Sequence, residues 1–90
     1  MSTIRIPTPL RPYVEGQSEI NVQGQNVAEA LNDLTAQYPQ LKQHIFSDAG
    51  DLRAFVNLFL GEEDIRHLQG VETPLKDDDR LRIIPSIAGG

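Results

Sequence analysis

The chain has 90 residues, no cysteine and a formal net charge of −5, with 13 acidic residues against 8 basic ones. The absence of cysteine excludes disulfides, thiolate metal sites and a thiol nucleophile, while the negative charge disfavours nucleic acid and membranes as partners and favours basic surfaces. A chain of this length fits one domain, and no apolar run approaches the roughly 18–20 residues of a membrane helix. We therefore expect a single cytoplasmic domain spanning residues 1–90, with no signal peptide.

Two strands joined as a hairpin are predicted at the start of the chain. Polar and apolar residues alternate over 3–6 and again over 19–23, as expected for strands with one buried face. Pro7 ends the first strand because proline lacks the backbone N–H that pairing needs. Residues 10–18, which include proline and glycine, are predicted to form a long loop between the two strands.

An amphipathic helix is predicted after the hairpin. Asn26 is a favourable N-cap residue, and Glu29 three positions later completes a variant of the capping box. The apolar stripe expected to lie on the sheet consists of Val27, Ala30, Leu31, Leu34 and Tyr38. Pro39 ends this helix, after which residues 41–46 are predicted to form a short helical turn and residues 47–51 a loop.

The richest apolar segment, residues 52–60, is predicted to be a strand that is apolar on both faces. One face carries Phe55, Asn57 and Phe59, and the other carries Val56, Leu58 and Leu60. Such a strand either lies beneath a second layer or presents a binding surface, and the sequence leaves open which face points inward. Residues 61–64 are predicted to form a turn, 65–66 a short edge strand and 69–79 a turn-rich loop.

The last predicted strand runs directly into an uncharged tail, residues 86–90. The two faces of this strand carry Leu81 with Ile83 and Arg82 with Ile84. Pro85 is expected to end pairing in the middle of a sheet. When extended, the tail would reach roughly 17 Å, far enough to enter a deep cleft on another protein, and its two terminal glycines suit a narrow channel. The simpler interpretation is a frayed end, since chain termini are often poorly ordered.

The element order predicts an α+β fold of the β-grasp (ubiquitin-like) type, with a mixed sheet of four or five strands and one main helix on one face. The last strand is expected beside the first, followed by a free, flexible tail. Four segments resemble the ubiquitin-like sulfur-carrier family (MoaD/ThiS), and within it the CysO-type cysteine-biosynthesis branch: 6–12, 55–57, 62–66 and 83–90. One departure is Lys-Asp-Asp-Asp at 76–79, where the family usually has Asp-Gly-Asp, and we expect it to affect turn geometry alone.

The resemblance implies a carrier rather than an enzyme, with Gly90 as the reacting residue. An E1-like adenylyltransferase and sulfurtransferase would use ATP and magnesium to convert the Gly90 carboxylate into an acyl-adenylate and then a thiocarboxylate. A PLP-dependent cysteine synthase would receive the sulfur, and a metallopeptidase would release the product. In the molybdopterin branch the large subunit of molybdopterin synthase would receive it, with this chain as the small subunit. Ile87, Ala88 and Gly89 would thread through the partner, and the chain itself would bind no cofactor.

Partners are expected to dock on the sheet face opposite the helix, because a flexible tail alone would bind weakly. The residues predicted to contact them are Ile84, Arg11, Arg82 and Leu60. For Ile84, which alternates with the buried positions of its strand, docking and partial burial are equally consistent with the sequence.

Other residues that could carry chemistry have simpler interpretations. His44 and His67 lack partners at metal-ligand spacing, and the acidic runs at 62–64 and 77–79 lack a twelve-residue ligand loop, so no metal site is predicted. Ser86 has no general base and is interpreted as a polar spacer.

Two alternatives to a sulfur carrier stay open. A ubiquitin-like protein modifier would use the same adenylate but transfer its C-terminal glycine to a lysine. A non-covalent interaction module would use the sheet and leave the tail without chemistry.

Overall fold

The computed structural model describes residues 1–53 and 56–85 of the protein. The strands are β1 (Ser2–Arg5), β2 (Glu19–Val22), β3 (Val56–Leu60), β4 (Glu63–Asp64) and β5 (Arg80–Pro85). The helices are α1 (Val27–Gln37) and α2 (Lys42–Ile45), with short 3-10 helices at Thr8–Val14, Pro39–Leu41, Ile65–His67 and Gly70–Glu72. No helix within the described residues is long and apolar enough to cross a membrane.

The five strands form one mixed sheet in the order β2-β1-β5-β3-β4. β1 pairs with β2 as the predicted antiparallel hairpin, and β5 lies parallel to β1 and antiparallel to β3. The expected adjacency of the first and last strands is therefore confirmed. As a result, β5 lies in the middle of the sheet and carries the chain toward its C-terminus from there.

Helix α1 begins and ends where the sequence predicts. The Asn26 side chain accepts a hydrogen bond from the Glu29 N–H at 2.8 Å, and the Glu29 carboxylate accepts one from the Gln25 N–H at 2.8 Å. The second bond reaches one residue further upstream than in the usual capping box. Tyr38 is the C-cap, and Pro39 begins the next 3-10 turn. Two otherwise unpaired N–H groups are thus satisfied at the start of the helix, which fixes its entry onto the sheet.

The core lies between α1 and the inner face of the sheet. Alternate strand residues and the helix stripe meet there, and the buried members include Ile4, Ile20, Val22, Leu31, Leu34, Val56, Leu58, Leu81 and Ile83. Each such side chain contributes about 1.5–3 kcal/mol when fully buried. The open question about residues 56–60 is thereby settled: Val56 and Leu58 point inward, while Asn57 and Phe59 lie on the outer face. Phe55, the third member of that outer set, lies outside the described residues.

Several local predictions were wrong. Leu52 and Arg53, predicted to lie in the strand 52–60, precede β3 and are not part of it, and residues 63–64, predicted as part of a turn, form β4. Two further errors occur where side chains or prolines redirect the backbone. Residues 8–14 form a 3-10 helix, so the first part of the loop predicted over 10–18 is helical, because proline is compatible with the first turn of a helix. Residues 65–67 also form a 3-10 helix rather than an edge strand. There the Asp64 carboxylate accepts a hydrogen bond from the Arg66 N–H at 2.9 Å, which turns the backbone away from sheet pairing. The edge strand is instead Glu63–Asp64.

The turn before β5 contains a strained residue that gives a testable stability prediction. Asp78 has a φ of 71°, in the left-handed region that glycine adopts without cost. We expect Asp78→Gly to raise the free energy of unfolding by up to about 1 kcal/mol, because relief of the left-handed strain exceeds the added chain entropy of glycine. Thermal unfolding should show a higher midpoint for Asp78→Gly and a lower one for the control Asp78→Ala, since alanine tolerates this φ less well than aspartate. A lower midpoint for the glycine variant would contradict this account.

Candidate functional site

The structure describes the platform from which the predicted reactive tail departs. β5 pairs with β1 only as far as the register Arg5 to Arg82, whereas its pairing with β3 continues to Val56 opposite Pro85. Among the residues that the structure describes, the C-terminal end of β5 therefore has a neighbouring strand on one side only, and a proline without an N–H is tolerated at the final position. The predicted tail residues Ile87, Ala88, Gly89 and Gly90 lie outside the described residues.

The outer face of the sheet, opposite α1, presents an apolar side chain beside this departure point. Ile84 is 39% exposed and lies directly opposite Asn57 on β3. Two residues earlier, Arg82 lies opposite Phe59, with its guanidinium carbon 5.6 Å from the centre of the aromatic ring. Arg82 also donates a hydrogen bond to the Gly61 carbonyl oxygen at 3.0 Å. Arg82 is thus held across the outer face by two contacts, and the exposed side chain of Ile84 lies next to it on the same face.

An ion pair that the sequence did not predict holds the side chain of Asn57, the residue opposite Ile84, in place. Arg66 contacts both oxygens of the Asp64 carboxylate, the shorter contact being 2.7 Å, and donates a hydrogen bond to the Asn57 side-chain oxygen at 2.7 Å. These contacts orient the Asn57 amide beside Ile84. The signal in the sequence was the polar Asn57 inside an otherwise apolar strand, but its partner Arg66 is nine residues away and could be found only from the fold.

The same ion pair predicts a pH dependence of stability. Hydrogen bonds from the Arg66 side chain and from its backbone N–H lower the pKa of Asp64 from 3.8 to about 2. Because the pKa is lower in the folded protein, the contribution of Asp64 to stability is fully present above pH 3.8 and is lost as the pH falls toward 2. We expect the wild type to unfold at a higher temperature than Asp64→Asn at neutral pH, with the difference shrinking over this window. The control Asp48→Asn, in an exposed loop, should show no such convergence in thermal scans, and a constant offset for Asp64→Asn would refute the assignment.

The remaining residues predicted to contact partners fall in two different places. Arg11 is half-buried and donates a hydrogen bond from Nε to the Ile6 carbonyl oxygen at 3.0 Å, at the end of the sheet where β5 leaves β1. Leu60 lies opposite the fully buried Leu81 and packs against the core. The strict alternation of a strand therefore places Leu60 on the inner face, which removes it from the predicted docking surface.

The two histidines lie in different environments, and the Nε2 atom of His44 is buried without a hydrogen-bond partner among the described residues. The ring of His44 lies 4.3 Å from the ring of Tyr13 between their centres, and His67 lies on the exposed 3-10 helix after β4. Within residues 1–53 and 56–85, His, Asp and Glu side chains do not form any group of three or more that could hold a metal ion.

Comparisons with known proteins give a consistent assignment. The ThiS family model matches residues 4–90. The sulfur carrier protein CysO of Mycobacterium tuberculosis is 36% identical over 90 residues, covering 98% of this chain and 97% of the relative. A chain of the crystallised Amycolatopsis orientalis BexX/CysO complex has a TM-score of 0.90 at 32% identity and covers 100% of both chains. Small archaeal modifier protein 1 from Methanosarcina acetivorans has a TM-score of 0.90 at 34% identity, covering 99% of this chain and 95% of that chain.

These similarities confirm both the β-grasp fold and the family resemblance predicted from the sequence. The family match extends from β1 through β5 and includes the Gly-Gly terminus. The chain therefore belongs to the ThiS family.

Proposed function

We propose that this chain is a sulfur carrier whose C-terminal Gly90 carboxylate is converted to a thiocarboxylate and then gives up its sulfur. The observation that carries the proposal is the continuity between β5 and the tail. The central strand ends at Pro85, and five uncharged residues ending in Gly-Gly follow it. This arrangement gives a rigid body for docking and a terminus slim enough to enter a partner's active site.

The Gly90 carboxylate must be activated by another protein before it can react. A free α-carboxyl group has a pKa of about 3.3–3.7, so it is ionised at neutral pH and is a poor electrophile. In the proposed first step, a carboxylate oxygen attacks the α-phosphorus of magnesium-bound ATP and releases pyrophosphate. A hydrosulfide ion released by a sulfur donor then attacks the acyl carbon and loses its proton, and AMP leaves with the original carboxylate oxygen, so that a thiocarboxylate remains. The partner thus supplies ATP, magnesium and sulfur, while this chain supplies the acyl group.

The proposed partners follow from this sequence of steps. An E1-like adenylyltransferase and sulfurtransferase would form the thiocarboxylate, and a sulfur-accepting enzyme would consume it. The 36% identity to CysO favours cysteine biosynthesis, with a PLP-dependent synthase as acceptor and a metallopeptidase for product release, over the large subunit of molybdopterin synthase. The chain would act as a protein co-substrate in the cytoplasm, where ATP and the acceptor enzymes are available.

Intact mass measurement of the protein isolated from its own cells would test the proposal. We expect a fraction of the chain to be heavier by the difference between one sulfur and one oxygen atom, and alkylation should trap that fraction at the C-terminus. A chain that ends only in a carboxylate during sulfur-limited growth, together with no adenylate formation by the cognate activating enzyme, would defeat it.

A protein modifier is the second candidate, supported by the 34% identity to small archaeal modifier protein 1 from Methanosarcina acetivorans. The same Gly90 adenylate would then be captured by a lysine side chain on another protein. Denaturing purification should in that case recover higher-mass conjugates with Gly90 in isopeptide linkage. Such conjugates without any thiocarboxylate would favour this candidate over the sulfur carrier.

A further inference from the structure

A groove of about 350 Å3 crosses the outer face of the sheet, between β1, β5 and the turn that joins β3 to β4. Its charged lining consists of Arg5, Arg80 and Arg82, with Glu19 and Glu62 also present. The groove is therefore locally basic, although the chain as a whole carries a net charge of −5. Neither the composition nor the order of the residues indicated such a surface.

The sheet register forces these arginines together. Arg5 lies directly opposite Arg82, and Arg80 lies one step further along the same face, opposite Thr3. Neighbouring strands are about 4.8 Å apart, and like charges directly opposite each other destabilise a sheet. Within residues 1–53 and 56–85, the ion pairs join Met1 to Asp77 and Arg66 to Asp64, so none of them neutralises the groove arginines. Glu19 on β2 lies opposite Arg5 on its other side and offsets part of this repulsion, which leaves the arginines of β5 in excess along the groove. An anionic ligand would relieve this excess of positive charge.

We propose that this groove binds an acidic segment of a partner polypeptide, with its carboxylates placed between Arg5, Arg80 and Arg82. A planar guanidinium group offers paired N–H donors that match a carboxylate, which a lysine ammonium does not. The apolar side chains Phe59 and Ile84 border the same face, so a polypeptide can combine charged and apolar contacts there. An acidic partner segment differs from the basic partner that the net charge predicts, because net charge does not show how the charges are distributed over the surface.

A polypeptide fits the groove better than a nucleic acid does. Glu19 and Glu62 line the groove together with the arginines, so anions are favoured at discrete positions rather than along a continuous backbone. The net charge of −5 would also repel a long polyphosphate, with a charge at every residue, more strongly than a short segment that carries a few carboxylates. Arg82 precedes Pro85 by three residues, or roughly 10 Å of strand. The identity of the partner rests on the proposed function. If that function holds, the acidic segment belongs to the enzyme that acts on the tail.

The test uses the full chain and a synthetic fluorescent peptide of alternating Glu and Ser, with a Gln and Ser peptide as its neutral match. Fluorescence anisotropy should detect binding of the acidic peptide, weakening as salt is added, and nitrogen-15 NMR should map it to β1 and β5. The double variant Arg5→Gln with Arg80→Gln should weaken binding about tenfold, whereas Lys42→Gln on α2 should leave it within about twofold. The thermal midpoint of the double variant should stay within a few degrees of the wild type, because both arginines are exposed and the lost repulsion from Arg82 is offset by the lost attraction of Glu19.

The outcomes separate this proposal from its competitors. Equal binding of both peptides, or equal loss in the Lys42→Gln control, would overturn it. Tighter binding of a DNA duplex than of the acidic peptide, mapped to the same strands, would assign the groove to nucleic acid and also overturn it. A variant lacking Gly90 should bind the peptide normally even though it cannot be adenylated, so failure of the tail chemistry and failure of the groove would be distinguished.

Discussion

Deletion of Gly90 should abolish adenylation by the cognate activating enzyme while leaving the fold intact. The acyl-adenylate forms at the terminal carboxylate, and removing one residue shortens the reach of the tail by about 3.3–3.6 Å. A misplacement of even 1 Å can cost on the order of a hundredfold in rate, so a full residue should reduce ATP–pyrophosphate exchange to background. Addition of one residue beyond Gly90 should have the same effect, because it moves the reacting carboxylate past the phosphates.

The controls for this experiment lie in the same tail and in the core. Ser86→Ala keeps the tail length and should support normal exchange, consistent with its interpretation as a spacer. The thermal midpoint of the shortened chain should match the wild type, since the core is built from residues between Ile4 and Ile83. Normal exchange by the chain without Gly90 would show that the carboxylate position is irrelevant and would remove the basis of the proposed function.

Substitution of Ile84 by aspartate should weaken the complex with the activating enzyme at least about tenfold while shifting the thermal midpoint by only a few degrees. Ordering five tail residues costs roughly 5–10 kcal/mol, so a docking face must supply favourable contacts to compensate. Ile84 is 39% exposed on the outer face at the point where the tail departs, and it lies opposite Asn57. An aspartate there would lose apolar burial, at about 25 cal/mol per Å2, and would place an unpaired charge in the interface.

A matched control exists elsewhere on the surface. Leu68 is 43% exposed and follows the 3-10 helix Ile65–His67, so Leu68→Asp removes a similar apolar area from a different place. Isothermal titration calorimetry should give wild-type affinity for Leu68→Asp and weakened affinity for Ile84→Asp. Unchanged affinity in the Ile84 variant would place this residue outside the interface, and a large drop in its thermal midpoint would show that it supports the core instead.

The sequence predicted those features that depend on neighbouring residues. The cap at Asn26 and the end of α1 before Pro39 follow from hydrogen bonding and sterics within a few residues, and both are confirmed. The alternation that buries Leu81 and Ile83 and places Ile84 on the opposite face follows from the two-residue period of a strand, and it is also confirmed. The exposure of Ile84 was left open by the sequence. The family resemblance rested on such local segments, which is why it too could be recognised without the fold.

The tertiary structure alone decided which residues from distant parts of the chain share a face. The inward face of residues 56–60 depends on where α1 packs, and this packing withdrew Leu60 from the docking surface. The Asp64–Arg66 pair reaches Asn57 only because β4 folds back beside β3. The closeness of Arg5 to Arg82 requires a parallel pairing between strands more than seventy residues apart, and no local pattern encodes that register. Periodicity determines which side of a strand is apolar, whereas strand order and register determine which charges meet, because those depend on contacts across the whole chain.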